Sequence, residues 1–246
     1  MRLDGKVAVI TGGTKGLGRA IAQRFLDEGA SVVCAARSPH QIGELVDLAP
    51  DRVVFHPVDV TDANSVTELM DKAVAEFGGL DVVVANAGVS HDGKVERLDP
   101  EDWRQMVETN LNGVFYSTQA AARHMIAQGS GQIITVSSCM ASRVAVGAGG
   151  YAATKAAVEM FTKTSAIELG RKGVRVNCLA PGVLDGGMGE QVAGNDKVWA
   201  AYKSRFSLGR AGRLDEAADG ALFLASESSS YVNGHVLEVN GGLLWS

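Results

Sequence analysis

Three residue types at telling positions suggest proton chemistry: Ser138, Tyr151 and Lys155. Tyr151 and Lys155 stand four apart in Tyr151-Ala152-Ala153-Thr154-Lys155, so on a helix they share a face. A phenol is a poor acid–base at neutral pH, with a pKa of about 10. A nearby ammonium favours the phenolate, and reaching neutrality takes about 4 kcal/mol of differential stabilisation. The expectation is that Lys155 lowers the Tyr151 pKa. Ser138, at the end of an apolar run, would donate to a substrate oxygen. On an arbitrary helix, Tyr-x-x-x-Lys is usually an ordinary surface pair; here an upstream serine and a nucleotide-type loop give it weight.

That loop is Thr11-Gly12-Gly13-Thr14-Lys15-Gly16-Leu17-Gly18. Its spacing is neither Gly-x-Gly-x-x-Gly nor a P-loop. The physics is shared: a glycine turn brings backbone N–H groups close to a pyrophosphate, and a helix N-terminus favours the anion. Gly12, Thr14, Gly16, Leu17 and Gly18 are therefore candidate cofactor contacts. The second apolar run ends Cys34-Ala35-Ala36-Arg37. An acid there would accept from a ribose 2′-hydroxyl, whereas an arginine suits a 2′-phosphate. Arg37 and Lys15 thus favour NADP(H), with NAD(H) as the alternative, each charge-assisted bond contributing about 1.5–3 kcal/mol. Asp59, followed by Val60, is placed to accept from an adenine amino group. Asn86, Ala87 and Gly88 follow the fourth run, where glycine permits close cofactor approach and Asn86 can tie neighbouring strands.

Other chemistries lack support. No Gly-x-Ser-x-Gly elbow exists. His40, His56, His91, His124 and His235 show no His-Glu-x-x-His spacing, although His91 is a candidate for the substrate pocket. Cys34, Cys139 and Cys178 are far apart and odd in number, which argues against a disulfide framework or zinc site. A net charge of −5 gives no basic footprint for nucleic acid. The apolar run near the N-terminus is too short for a signal peptide, and no run spans a membrane. The expected location is the cytoplasm.

The elements that must position these residues are legible as alternation. Short apolar runs at Val7–Ile10, Ser31–Ala35, Val53–Phe55, Val82–Ala85, Ile133–Val136, Val174–Cys178 and Val236–Val239 suit strands buried on both faces. Helical segments lie between them. Ser38-Pro39 and Asp99-Pro100-Glu101-Asp102 read as capped helix starts. The pattern predicts βαβ units with right-handed crossovers in one α/β domain over residues 1–246. One excursion near 182–213 replaces the usual short connection. It is glycine-rich, carries a possible helix near Lys197–Ser204, and includes Met188, Val192, Trp199, Tyr202 and Phe206 nearby, as expected of a substrate lid.

Taken together, Thr11–Gly18, Asn86-Ala87-Gly88, Asn110, Ser138, Tyr151, Lys155, Pro181-Gly182 and Asn240-Gly241-Gly242 resemble the short-chain dehydrogenase/reductase family over nearly the whole chain. The resemblance implies a Rossmann-like doubly wound sheet of seven parallel strands with helices on both faces, a homotetramer with the tail Leu243-Leu244-Trp245 buried between subunits, and hydride transfer between nicotinamide and a small-molecule carbonyl or secondary alcohol. It implies that Tyr151 protonates the carbonyl oxygen and Ser138 orients it. Lys155 lowers the tyrosine pKa and holds the nicotinamide ribose, while Asn110 holds a water that links Lys155 to a proton relay. Cofactor contacts then fall on Gly12 to Gly18, Arg37, Asp59, Val60, Asn86 to Gly88, Tyr151, Lys155, Pro181, Gly182 and Leu184. One departure is Gly186, where many relatives place a threonine on the nicotinamide carboxamide; backbone groups of Val183 or Leu184 are left to hold it.

Within the family the chain is similar to 3-oxoacyl-acyl-carrier-protein reductases and to bacterial secondary-alcohol, sugar and ketone reductases. Arg171-Lys172 offers a basic patch for an acidic carrier, whereas Gln128-Gly129-Ser130-Gly131 is neutral. An idle NADP-binding protein is the competing class, and the intact Ser138, Tyr151, Lys155 and Asn110 argue against it. An isomerase or epimerase would usually have a longer chain.

Overall fold

In the computed structural model each apolar run divides its side chains between two cores. The structure describes residues 1–190, 199–200 and 203–243. Along β1 (Val7–Thr11) every residue is buried. Ala8 and Ile10 join one apolar cluster while Val9 joins another. Val32 and Cys34 of β2 (Ser31–Ala36) and Val82 and Val84 of β4 (Val82–Ala85) repeat the split against Val33 and Val83. Period-2 side chains on a strand covered on both faces produce this continuous apolar run.

The remaining strands are β3 (Val53–Pro57), β5 (Gly131–Val136), β6 (Val174–Pro181) and β7 (Val236–Val239). All seven pair in parallel, in the order β3-β2-β1-β4-β5-β6-β7. The sheet is thus a doubly wound Rossmann-like one. The chain reverses direction across the sheet between β1 and β4, and ligands of open α/β sheets bind beyond the strand C-termini at such a switch point.

On one face lie α1 (Gly16–Asp27) and α7 (Leu214–Ala225); on the other lie α3 (Ala63–Phe77) and α5 (Gly113–Gln128). The long α6 (Gly149–Gly170) packs on β6 and carries Leu169 and Ala166 into the second cluster. α3 starts at Asp62, whose side chain accepts from the Asn64 N–H, and stops at Gly78 with φ 80°. α4 (Pro100–Val107) starts as its sequence predicts, with Asp99 accepting from the Glu101 N–H and Pro100 at the first position.

Five strand boundaries move, with β1, β2 and β3 running on to Thr11, Ala36 and Pro57. β6 runs on to Pro181 because Cys178–Pro181 pair with Val236–Val239, and β5 begins at Gly131 because that residue pairs with Val174. The helix expected from Ser38-Pro39 starts instead at Gly43, as α2 (Gly43–Leu48). Ser38 is otherwise engaged: its carbonyl accepts from the Thr14 hydroxyl at 3.2 Å and its hydroxyl bonds His40 Nε2 at 3.0 Å. His40 adopts φ 39°, which no α-helix passes through.

Among the described residues no helix is long and apolar enough to cross a membrane. No group of three or more His, Cys, Asp or Glu side chains among them is placed to hold a metal.

Candidate active site

Two adjoining cavities open at the C-terminal edge of the sheet. One, of about 510 Å³, is walled by Lys15 to Gly18, Ser138, Tyr151, Lys155, Pro181, Gly182 and Leu184. The other, of about 810 Å³, is walled by Thr14, Arg37, Ser38, His40, Asp59 and Val60. Gly12, Lys15, Ala87 and Gly88 line both, so the glycine turn and the end of β4 form the waist of a bilobed groove. That shape suits a dinucleotide whose pyrophosphate crosses the waist.

The waist needs its glycines. Gly12 has φ 66° and Gly16 φ 52°. A Cβ on Gly18 would stand 2.2 Å from the Gly12 carbonyl oxygen, so only hydrogen fits. α1 begins here with no side-chain cap and no acid in its first turn, leaving its N-terminal N–H groups and dipole for an anion. Asn86 locks the turn to β4: its Nδ2 donates to the Thr11 carbonyl at 2.9 Å. The Thr11 hydroxyl accepts from the Asn86 and Ala87 N–H groups at 3.0 and 3.1 Å. Thr11 opens the loop motif but was given no role from sequence, since a threonine ending a buried strand does not show which backbone groups its hydroxyl meets.

At the chemical lobe, β5 delivers Ser137-Ser138 and α6 delivers Tyr151 and Lys155 to one wall. The Ser137 hydroxyl is occupied within the protein, near the Lys155 carbonyl at 3.1 Å and Glu159 Oε1 at 3.0 Å. Burial raises the Glu159 pKa, against the Ser137 bond that lowers it. Ser138 Oγ accepts from the Met140 N–H at 3.2 Å, which fixes the oxygen and leaves its proton to donate.

The titration of the pair differs from the expectation. Burial pushes the Tyr151 phenol up to about 12, with the Ser138 hydroxyl opposing and Cys139 adding to the rise. Burial brings Lys155 down to about 8. The reason is placement: Lys155 Nζ donates to the Val136 carbonyl at 2.8 Å and lies 5.5 Å from the Tyr151 ring centroid. Its charge faces the ring and strand end, and desolvation outweighs it. Tyr151 is thus held as the neutral acid.

Asn110 lies below this wall, fully buried in a π-helical turn (Glu108–Asn112) between α4 and α5. Its Oδ1 accepts from the Val89 N–H at 2.8 Å; its Nδ2 donates to the Val89 carbonyl at 2.9 Å and to the Thr154 hydroxyl at 3.2 Å. Thr154 in turn donates to the Tyr151 carbonyl at 2.8 Å. A π turn in a helix often marks a functional position. Thr154 was missed because a threonine beside a lysine reads as helix filler.

At the other lobe, Lys15 and Arg37 are exposed. Asp59 accepts from the Thr61 N–H and hydroxyl at 3.0 and 2.8 Å, which with Arg37 lowers its pKa. His91 lines neither cavity; its Nδ1 is 3.3 Å from Asp102 Oδ1.

The excursion after Pro181-Gly182 returns to the waist. Gly186 to Gly189 line the chemical lobe. A Cβ on Gly186 would meet Leu214 Cδ1 at 2.8 Å, so Leu214 crowds the side-chain position that a threonine would take. Met188 lines the lobe, whereas Trp199 and Phe206 pack with Cys139 and Leu243. Leu243 is therefore buried within its own chain. Val192, Tyr202, Leu244, Trp245 and half of the segment expected to be helical near 197–204 lie outside the described residues.

A family model described as enoyl-(acyl carrier protein) reductase matches residues 12–244. The chain is 40% identical over 247 residues to the 3-oxoacyl-(acyl-carrier-protein) reductase FabG of Thermotoga maritima, covering 99% of this chain and 100% of that one. Among solved structures it is similar to a gluconate 5-dehydrogenase from Burkholderia cenocepacia J2315 in complex with NADP and tartrate, with a TM-score of 0.93 and 35% identity over 98% of this chain and 96% of that one. It is also similar to a short-chain type dehydrogenase/reductase from Mycobacterium ulcerans, with a TM-score of 0.94 and 31% identity over 99% and 91%.

Proposed function

The chain belongs to the short-chain dehydrogenase/reductase family, and on that premise we propose that it is an NADP(H)-dependent oxidoreductase interconverting a carbonyl and a secondary alcohol, with Tyr151 as its acid–base. The observation that carries the reading is the wall shared by Ser138, Tyr151 and Lys155 beside the glycine waist.

The glycines at 12, 16 and 18, with the N-terminus of α1, bind the pyrophosphate. Asp59 and Val60 border the adenine, and Lys15 and Arg37 take the 2′-phosphate. Pro181, Gly182 and Leu184 border the nicotinamide. When bound, the reduced nicotinamide supplies the hydride to the carbonyl carbon. Ser138 Oγ donates a hydrogen bond to the carbonyl oxygen, and Tyr151 Oη gives that oxygen its proton. Two donors converging on one oxygen suit a carbonyl, where the proton ends on oxygen, better than a carbon–carbon double bond, where it ends on carbon. Lys155 binds the nicotinamide ribose and favours the phenolate left after transfer; Asn110 keeps the path by which that phenolate regains a proton.

The reading includes a single domain over 1–246 and a cytoplasmic homotetramer. The solvent-facing Met160 and Ile167, seven apart on α6, and Phe115 on α5 support assembly. For the substrate, a 3-oxoacyl thioester and a sugar-derived keto acid follow the two kinds of relative.

The test is NADPH oxidation followed by absorbance, with an acetoacetyl thioester and a keto-sugar acid as substrates and NADH in parallel. Turnover with NADPH supports the reading, and the faster substrate names the class. Tyr151→Phe is expected to abolish turnover while leaving NADPH binding intact. Retained turnover in that variant, or a preference for NADH, overturns the corresponding assignment.

A further inference from the structure

We propose that His40 and Ser38 form one hydrogen-bonded unit that grips the ribose 2′-phosphate and sets the preference for NADP(H) over NAD(H). The inference rests on the NADP(H) reading above and extends it to two residues which neither loop motif nor charge points out.

The first observation is conformational. His40 is the one non-glycine residue with positive φ among the described residues, at 39°. An L side chain there meets its own carbonyl, and such conformations persist where the surroundings hold them, often at ligand clamps. Here the surroundings are explicit. The Thr14 hydroxyl donates to the Ser38 carbonyl at 3.2 Å, and the Gln41 N–H donates to the Thr14 carbonyl at 3.3 Å. The turn that carries His40 is thereby bolted to the glycine turn itself. Any shift of one moves the other.

The second observation is placement. Ser38 and His40 wall the same lobe as Lys15 and Arg37. The other charged groups of that lobe are Asp59, Glu101, Arg104 and Glu108. Asp59 is held by Thr61, and Arg104 is paired with Glu101 at 2.6 Å. Ser38 and His40 belong to the turn that follows β2, the strand whose end carries Arg37.

The third observation is chemical. Ser38 Oγ lies 3.0 Å from His40 Nε2. With a hydrogen on Nε2, the ring donates to Oγ and the serine proton is free to donate to a phosphate oxygen, so the histidine aims the hydroxyl. A ribose 2′-hydroxyl offers no comparable charge, so the same pair distinguishes the two cofactors.

Calorimetric titration with 2′,5′-ADP and with 5′-AMP isolates the 2′-phosphate without requiring turnover. The wild type is expected to bind 2′,5′-ADP more tightly. His40→Asn, which tolerates positive φ, should weaken 2′,5′-ADP by about tenfold, the value of one charge-assisted hydrogen bond, and leave 5′-AMP unchanged. Ser38→Ala should match it, and the double variant should lose little more. Unaltered 2′,5′-ADP affinity in His40→Asn, or fully additive losses, overturns the paired clamp while NADP(H) selectivity stands. Equal affinity of the wild type for both ligands overturns the NADP(H) reading itself. His40→Gly separates backbone from side chain: it keeps the turn, so restored affinity in that variant also overturns the imidazole's role.

Discussion

The Lys155 ammonium nitrogen lies 2.8 Å from the Val136 carbonyl oxygen, on a residue only 2% exposed. A strand end thus holds a charge that α6 has carried out of water, and the fold bears the cost. Held at about 8 instead of 10.5, this lysine destabilises the folded protein by about 3 kcal/mol at neutral pH, at about 1.4 kcal/mol per pH unit. The sign follows from proton counting. Between about pH 8 and 10.5 the unfolded chain holds the proton and the folded chain does not, so this group's contribution to stability rises with pH across that window. Below about 8 the whole penalty applies. Lys155→Met should therefore unfold later at pH 7, by a net of about 1–2 kcal/mol once the Val136 carbonyl loses its partner, while turnover disappears. Denaturant unfolding at pH 7 and again near pH 10 checks this: the gain should shrink at the higher pH. A variant less stable than wild type at pH 7 would contradict it.

The same two groups set the pH dependence of the reaction. Tyr151, held up to about 12 by burial, keeps its proton throughout the working range. Lys155 loses its own near 8, and with it goes the charge that favours the phenolate after proton transfer. Reduction should be level from roughly pH 6 to 7.5 and decline as pH rises through about 8. A profile of kcat/KM against pH measures this. A level profile up to pH 10 would show that the ammonium persists.

Much of this site was legible because its signals are local. Glycines at 12, 16 and 18 mark a tight turn whatever surrounds them, and the four-residue step from Tyr151 to Lys155 fixes a shared helix face. The seven apolar runs became seven strands because runs buried on both sides must be apolar throughout. What failed needed tertiary knowledge. Ser38-Pro39 carries sound capping residues, but Thr14 and His40 take the serine's bonding groups. The lysine was expected to lower the phenol together with the positive ring of an oxidised nicotinamide; within the chain alone its nitrogen is aimed at Val136 and desolvation dominates. Thr154 and Glu159 matter only through Asn110 and Ser137, residues distant in sequence.

The excursion closes on the waist backbone to backbone. A Cβ on Gly187 would stand 3.4 Å from the Gly16 Cα, and Gly187 adopts φ 61°. A side chain there is strained by about 1–2 kcal/mol in that backbone conformation, and relief of the strain moves the segment relative to the pyrophosphate turn. Gly187→Ala should weaken NADPH by about five- to tenfold with little change in melting temperature. Gly186→Thr tests the neighbouring position, where Leu214 crowds the space. It should be destabilising alone and relieved by Leu214→Ala, a non-additive pair. Cofactor fluorescence titrations and melting curves of the four proteins decide this, and additivity would rule out the steric account.

Gly88 stands at the gap between the buried asparagine and the lysine. A Cβ on it would lie 3.3 Å from Asn110 Oδ1 and 3.6 Å from Lys155 Nζ. Those are ordinary to slightly tight contacts, so alanine fits without breaking the fold. On the proposed relay, the same methyl would fill the space between the Asn110 turn and Lys155 through which the Tyr151 phenolate regains its proton. A polar gap of this kind is where a bridging water is stable. Gly88→Ala should therefore keep its melting temperature within about 2 °C yet lose about ten- to a hundredfold in kcat, with a larger solvent deuterium isotope effect as reprotonation becomes limiting. Because Gly88 also lines both cavities, the NADPH dissociation constant must be measured alongside. A loss of kcat matched by an equal loss of cofactor affinity, with no change in isotope effect, would place the damage in binding and remove Gly88 from the proton path.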